Sequence, residues 1–540
     1  MLPLAAAATL YVALVAAAVW HVLAAAGEPV YAMDDVYIHM ALAKNLAAHG
    51  VYGVTPFEAT HASSSPLWVL LLAAGFAVLG PWIWWPGLLA GLSALAVLAV
   101  SDRYLRQQTV ATKRPAAQTA RAGVLCLIVL GASLPPLTLQ GMEHPLHAAV
   151  TLLAAMLGAD AIAGREANRR RDLLLIALCL TLPVLRYESL CLVALLATGL
   201  AWRGRYRLAS AIAVAAAMSV CLVGFWAMSR GLTFLPAPIL AKSVGPFLLS
   251  DDGLVRLVAR FTWHPLTRIG RVPLLTVLFV AALIYVLARL WRLRLAALDG
   301  TSTVMAALFL AGTWAHATFA TFGWGSRYEA YLIVLGLASM GGIAIDLAGR
   351  LDGASRGPRL AALLAGFAAA LTIYTGFGRA LETWRNAQYA AVEVLNRDIY
   401  VGRFLAAAYP RQPVLAMNIG AVVWEGEPRL LDALALGSPE ALRLFLAGKL
   451  DPAALDALAR QHRVRVLAVF EEWFEAWTGG RPPWIPVAQI DASNERRQLR
   501  LTLYVLEKSE GDELAAKLRT IRPSGSFTVR VRILPPYGDG

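Results

Sequence analysis

Apolar runs of bilayer length alternate with short basic segments through residues 1–377, and the alternation stops there. Residues 4–26, 83–100, 208–228, 272–288 and 360–377 are largely unbroken apolar stretches. Runs near 20 residues exceed what a buried helix of a soluble domain needs, and as helices they satisfy their own backbone groups, which lipid demands. Less regular stretches extend the set to 4–26, 83–100, 122–136, 145–163, 173–186, 187–202, 207–228, 272–290, 303–321, 328–346 and 359–377, about eleven spans. The first run lacks a basic segment before it. Ala24-Ala25-Ala26 resembles a cleavage site, but the length suits a retained first span.

Two apolar stretches fall outside this set. Residues 66–80 are short for a span and lead into Trp82, Trp84 and Trp85, an interfacial belt. Residues 36–48 are apolar enough to lie on a bilayer. Both read as interfacial or re-entrant helices of a first outer loop, because counting 66–80 as a span would put the basic loop after Ser101 on the wrong side.

Past residue 377 charges mix with short apolar runs. Residues 414–417 with 419–424, then 464–470 and 499–506, predict strands, and 528–534 predicts an edge strand. Residues 439–447 and 452–462 predict helices, with Ser438 and Asp451 as N-caps. Strands alternating with helices predict a small α/β domain with a largely parallel sheet. The chain therefore reads as a polytopic α-helical membrane protein, with a transmembrane domain at 1–377 and an α/β domain at 378–540.

Composition supports this: 58% of the 540 residues are hydrophobic and the mean hydropathy is +0.59. The net charge of +13 raises the question of nucleic acid, and its placement answers it. Arg103, Arg106, Lys113, Arg114 and Arg121 share one inter-helix loop, and Arg165, Arg169, Arg170 and Arg171 another. Arg203 and Arg205, then Arg289, Arg292 and Arg294, then Arg350, Arg356 and Arg359 fill three more. Basic residues in alternate short loops report topology, with the N-terminus cytoplasmic and the C-terminal domain periplasmic; the partner they imply is the bilayer, not nucleic acid. Cys126, Cys179, Cys191 and Cys221 all lie in apolar segments and form no disulfide or zinc framework.

The segment richest in candidate chemistry is Met33-Asp34-Asp35-Val36-Tyr37-Ile38, just past the outer end of the first span. One reading is helix capping, with Asp34 as N-cap, Asp35 in the first turn and Gly50 ending the helix. The other is catalytic: two adjacent carboxylates in a partly dry site repel, the pKa of one rises, and it suits a general base acting on a hydroxyl. His39, one turn on, is placed to pair with a carboxylate or a metal, but no metal-ligand spacing accompanies it. Arg186-Tyr187-Glu188 forms an ionisable cluster where two short spans meet, which is costly in a membrane unless used. Glu143 and His144 precede Pro145, either as a polar turn opening a helix or as a second acidic site.

Read together, these segments resemble a known family. The string from Asp34 to Glu58, followed by Ser63-Ser64-Ser65-Pro66-Leu67-Trp68, resembles the first outer loop of GT-C membrane glycosyltransferases. It is most similar to the branch of actinobacterial terminal arabinofuranosyltransferases and type IV pilin arabinosyltransferases, whose pattern is D-D-x-Y-I-x-x-R-x-A-x-N-L, N-P-x-E, then T/S-x-P-L-W. Further likenesses follow in order: Gly141 to Leu146 to G-x-E-T-P-L, Leu185 to Ser189 to T-R-P-E-G, Phe234 to Lys242 to L-P-N-T-x-x-A-K, and Arg327-Tyr328 to R-Y/F-L-x-P. In the C-terminal domain, Ala416 to Ala421 and Leu430 to Leu436 resemble the D-I-G-A and D-x-x-G-L elements. The departures are Ala41 for the family's arginine, Thr55 for its asparagine, Tyr187 for its proline and Pro238 for its threonine. These bear on the sugar and the acceptor more than on the chemistry.

The resemblance implies an inverting glycosyltransferase that moves a sugar, arabinofuranose by branch, from a polyprenyl-phosphate donor to an extracytoplasmic glycan or protein acceptor. In that reading Asp34 and Asp35 are catalytic. Arg186, Lys242 and Arg327 hold the leaving phosphate, whose charge develops in the transition state. Tyr37, His39, Glu58, Glu143, His144, Glu188, Trp324 and Tyr328 line or support the site, and residues 378–540 bind the acceptor or carbohydrate. Carboxylates and lipid phosphate could share Mg²⁺ or Mn²⁺, which the sequence does not require. A transporter or flippase of lipid-linked sugars would also need outer cations, but paired inverted repeats with broken helices are absent from the pattern.

Overall fold

The computed structural model describes residues 2–109, 115–165, 168–241, 254–351, 358–492 and 500–538. Lys242, with Lys113, Arg114 and Arg356, lies outside them. Six of the described helices are long and apolar enough to cross a membrane: Leu2–Ala26, Trp85–Gln108, His144–Ile162, Tyr206–Ser229, Pro273–Asp299 and Ala330–Leu347. Pro66–Leu79, Ala117–Gly131 and Ser189–Trp202 are shorter apolar helices. The chain divides into two compact units.

The first unit comprises Met1–Ala18, Gly87–Leu222 and Asp251–Asn386 and is helical. Its core is built from side chains such as Leu98, Tyr104, Leu152, Leu196, Phe309 and Leu332. Helices His144–Ile162 and Ser189–Trp202 approach closely because each offers a glycine to the other. A Cβ at Gly158 would overlap Leu196, and one at Gly199 would stand 2.6 Å from Ile162. Small residues at such contacts let backbones approach where lipid supplies no hydrophobic drive. The predicted helix at 122–136 is broken: it ends at Gly131, Ser133 turns left-handed at φ +55°, and Leu134–Leu139 begins a new short helix. Pro135 and Pro136 explain the break, since neither supplies an N–H and both sit comfortably only in a first turn. Pro358–Val394 runs on past residue 377 without interruption.

The second unit comprises Val19–Pro86, Val223–Ser250 and Ala387–Gly540. Here the two predicted loop helices form as Asp34–His49 and Pro66–Leu79. Gly50 ends the first in the left-handed region, φ 67°, donating its N–H back to Leu46. A six-stranded sheet has the order β2-β1-β3-β5-β4-β6, with β1 at Pro413–Ala416, β2 at Arg429–Asp432, β3 at Val466–Phe470, β4 at Ile485–Ala492, β5 at Leu501–Val505 and β6 at Val529–Ile533. The pairs β1–β2 and β1–β3 are parallel, whereas β3–β5, β5–β4 and β4–β6 are antiparallel. The sheet is thus mixed rather than largely parallel. Residues 419–424, expected as a strand, form the helix Gly420–Gly426. Parallel β1 and β2 need a crossover, and this helix supplies it, overriding the β-branched Val422 and Val423. β6 is an edge strand, as expected. Asp451 caps its helix by accepting from the Ala454 N–H, whereas the Ser438 hydroxyl accepts from Asp432 N–H instead.

Candidate active site

Each unit carries a cluster of charged groups. In the second unit Asp34 and Asp35 open the helix Asp34–His49, where the helix dipole favours them. Met33 holds the N-cap position in an extended conformation and makes no side-chain cap bond, so Asp34 is not the cap of its own helix. Its carboxylate instead caps another. Gly420 donates its backbone N–H to Asp34 Oδ2 at 2.8 Å, and Ala421 donates to Oδ1 at 2.8 Å. Burial, then the nearby Asp398 carboxylate, push the Asp34 pKa up to about 8 against those two bonds, with a smaller contribution from Asp35.

Asp398 lies in the π-turn Leu395–Ile399 and is itself held. Arg397 donates to both of its oxygens, at 3.2 and 3.1 Å, and to Glu393 at 2.6 Å, while the Asn418 amide donates to Asp398 at 3.1 Å. Asn418 stands where the resembled D-I-G-A element has its acid. Sequence reasoning missed Arg397 and Asp398; the available signal was two adjacent ionisable residues framed by Leu395 and Ile399, in a turn that the structure buries throughout.

The other predicted residues of the first loop serve its architecture. Tyr37 is buried and its hydroxyl accepts the Tyr31 N–H at 3.1 Å. His39 Nε2 meets the Ser63 hydroxyl at 3.1 Å. Asn45 donates to the Gly53 carbonyl at 2.8 Å, tying the helix to the turn that follows it. Glu58 is exposed and bridges to Thr55 at the tip of that turn.

In the first unit, Pro183 lies in the last turn of Arg169–Leu185, and Arg186 follows with extended dihedrals, so the chain breaks between this helix and Ser189–Trp202, neither of which has the length and hydropathy of a full span. The Arg186 guanidinium donates to Glu143 at 3.0 Å and, through Nε at 3.2 Å and a second nitrogen, to both oxygens of Glu188. Glu143 is fully buried and Arg186 nearly so. Two guanidinium groups lie over the Tyr328 ring, Arg186 5.3 Å and Arg327 5.1 Å from its centroid. The His144 ring lies 6.1 Å from the same ring. One turn after Glu143, His147 Nε2 meets the Ser189 hydroxyl at 2.7 Å, fixing the first residue of the helix Ser189–Trp202.

The loop bearing Arg327 and Tyr328 is pinned by residues that the sequence reading passed over. Glu329 accepts from Gly323 N–H and from Arg379, each at 2.8 Å; Arg379 also donates to the carbonyls of Ser326 and Gly131, and Gln140 to that of Gly325. The turn passes through positive φ at Trp324 and Ser326, and the Trp324 side chain is exposed. The structure thus gathers Arg186, Glu143, Glu188, His144, Arg327 and Tyr328 in one cluster, and Asp34 with Asp398 in another. Among the described residues no group of three His, Cys, Asp or Glu is arranged to hold a metal ion.

A protein-family model described only as a domain of unknown function (DUF8728) matches residues 382–509. No curated protein matches the chain significantly. Among solved structures, ArnT from Cupriavidus metallidurans bound to undecaprenyl phosphate superposes with a TM-score of 0.50 at 11% identity, over 93% of this chain and 98% of that one. The fold is GT-C-like. The Archaeoglobus fulgidus oligosaccharyltransferase in its apo form is also similar, with a TM-score of 0.49 at 11% identity, over 92% of this chain and 74% of that one. With its membrane-length helices, this GT-C-like chain is a multi-pass membrane protein.

Proposed function

We propose that the chain is an inverting glycosyltransferase that uses a polyprenyl-phosphate-linked sugar. The observation that carries this reading is the fold likeness along nearly the whole chain to a protein crystallised with undecaprenyl phosphate. Asp34 takes the proton of an acceptor hydroxyl, and Asp35 orients that hydroxyl. The hydroxyl oxygen forms the new bond to the anomeric carbon as the bond to polyprenyl phosphate breaks. Arg327, Lys242 and Arg186 receive the negative charge on the departing phosphate, where fixed donors act most strongly. Arg186 enters this role already answered by two carboxylates, so its part is to shape the cluster as much as to bind phosphate.

The sugar, by the sequence resemblance, is a pentofuranose such as arabinofuranose, and the acceptor is an extracytoplasmic glycan or protein. The basic loops argue for an inner-membrane protein with a cytoplasmic N-terminus and residues 378–540 periplasmic, where they would contact the acceptor. The transfer as written requires neither Mg²⁺ nor Mn²⁺, which the carboxylates and the lipid phosphate could share.

The test is transfer in vitro from polyprenyl-phosphoryl sugars by the purified protein in lipid. A covalent product is expected, with a loss on the order of 10²-fold or more in Asp34→Asn and Asp35→Asn, the usual effect of removing a general base. Wild-type turnover in both variants would remove the catalytic claim. Movement of unchanged donor lipid without product would replace it with transport.

A further inference from the structure

The carboxylate proposed as base is held by backbone from the far end of the chain. Gly420 and Ala421, 386 and 387 residues after Asp34, each give it one N–H at 2.8 Å. The approach is close enough to require glycine: a Cβ at Gly420 would overlap the Asp34 carbonyl oxygen and stand 2.9 Å from Asp34 Oδ1. Behind this contact, Gly402 makes room on the opposite side, where a Cβ would stand 2.8 Å from the Ala421 carbonyl oxygen. The short helix Gly420–Gly426 is therefore packed between Asp34–His49 and Tyr400–Ala408 with no slack.

Two further ties hold these segments. Lys44 donates to the Trp424 carbonyl at 3.2 Å and pairs with Glu427 at 3.0 Å. Arg403 holds Glu28 through two parallel bonds of 2.8 Å and reaches Glu425 at 3.1 Å. Bidentate arginine–carboxylate pairs fix orientation as well as distance. The ties lie on both sides of the acidic pair along the chain, at Glu28 and at Lys44.

We infer that the crossover helix Gly420–Gly426 is the positioning element of the acidic pair, so that the C-terminal sheet domain completes the catalytic centre rather than serving only to bind acceptor. This rests on the transferase reading above. The amides of Gly420 and Ala421 set the rotamer of Asp34, and a base displaced by about 1 Å can lose on the order of 10²-fold in rate. The residues that do this touch no substrate; they act through Asp34.

Three measurements test it on the full-length protein. Gly420→Ala, which pushes Asp34 away, should lower kcat at least tenfold while the donor KM stays within twofold. Ala421→Pro, which removes one donor but is tolerated in a helical first turn, should do the same. Amide exchange at Gly420 and Ala421 should accelerate in Asp34→Ala whether or not any substrate has been found. Wild-type kcat in Gly420→Ala, or unchanged exchange in Asp34→Ala, would overturn the inference. A wild-type protein without transfer would sink the transferase reading instead, and exchange would still decide the clamp. Should Gly420→Ala fail to fold, Ala421→Pro and exchange carry the test.

Discussion

The two charged clusters solve the same problem in opposite ways. In the helical unit a buried arginine is answered by two carboxylates, and all of its nitrogens are engaged. In the sheet-bearing unit a carboxylate is answered by two backbone amides, and a second carboxylate, Asp398, stands close enough to raise its pKa. With Arg327 at the same tyrosine ring, the first arrangement sets two cations against two carboxylates inside a membrane protein, where an unpaired buried ion is costly. The second leaves an excess of acid and holds it in place with directional bonds. Saturation suits structure and a leaving group's surroundings; a constrained, destabilised carboxylate suits proton transfer.

The largest effect should follow from breaking the saturated cluster. Arg186→Met leaves Glu143 and Glu188 buried without their cation, and removing one partner of a buried pair typically costs about 3–5 kcal/mol. The expected result is a steep fall in thermal midpoint and yield in detergent. Arg186→Met combined with Glu143→Gln and Glu188→Gln should recover much of that loss, because the uncompensated charges are gone. A single variant as stable as wild type would mean that the arginine is not what neutralises the two acids.

Titration sharpens the contrast at the other cluster. Because the folded pKa of Asp34 is raised, its protonated form is the one the fold favours. Its contribution to stability is fully present below the ordinary carboxylate range near 3.8 and is lost as pH rises through about 8. Catalysis has the opposite sign, since the base must be ionised, so kcat should climb toward pH 8. Thermal midpoints of wild type and Asp34→Asn measured across this range should differ in slope, the variant being flatter. Parallel curves would show that Asp34 is not the group that titrates.

How much of this was legible depends on the range of the forces involved. Most predicted spans fall within one helix, because hydrophobic length is a local property and lipid leaves the backbone few alternatives, but 122–136 is split after Gly131, and six of the described helices, against about eleven predicted spans, have the length and hydropathy to cross. β3 and β5 were legible for a related reason: all five residues of each are buried, so β3 is apolar throughout and β5 is interrupted only by Thr502. β2 and β4 were not. Arg429–Asp432 is a four-residue strand with a charge at each end, and Ile485–Ala492 carries a proline and an irregular register beside it. The candidate residues could be named from local motifs, but their partners could not. Asp34 looked like the cap of its own helix; that it caps one from the opposite end of the chain, over a separation of 386 residues, follows from packing that no local pattern encodes.

The smallest effect separates capping from clamping. Asp451 and Asp34 do the same chemistry, each carboxylate accepting N–H bonds from a helical first turn, but Asp451 does so for the helix it precedes and at an exposed position. Replacing an exposed N-cap aspartate by alanine costs about 1 kcal/mol. Asp451→Ala should therefore lower the thermal midpoint slightly and leave transfer untouched. Asp34→Ala removes two such bonds where Asp451→Ala removes one, and it also releases the contact between Asp34–His49 and Gly420–Gly426. If the two alanine variants lose equal stability and exchange at 420 and 421 stays slow, Asp34 is an ordinary cap that happens to be supplied from elsewhere in the sequence. If Asp34→Ala alone loosens that helix, the bond is a tie between distant segments, and the acidic pair owes its geometry to the sheet domain.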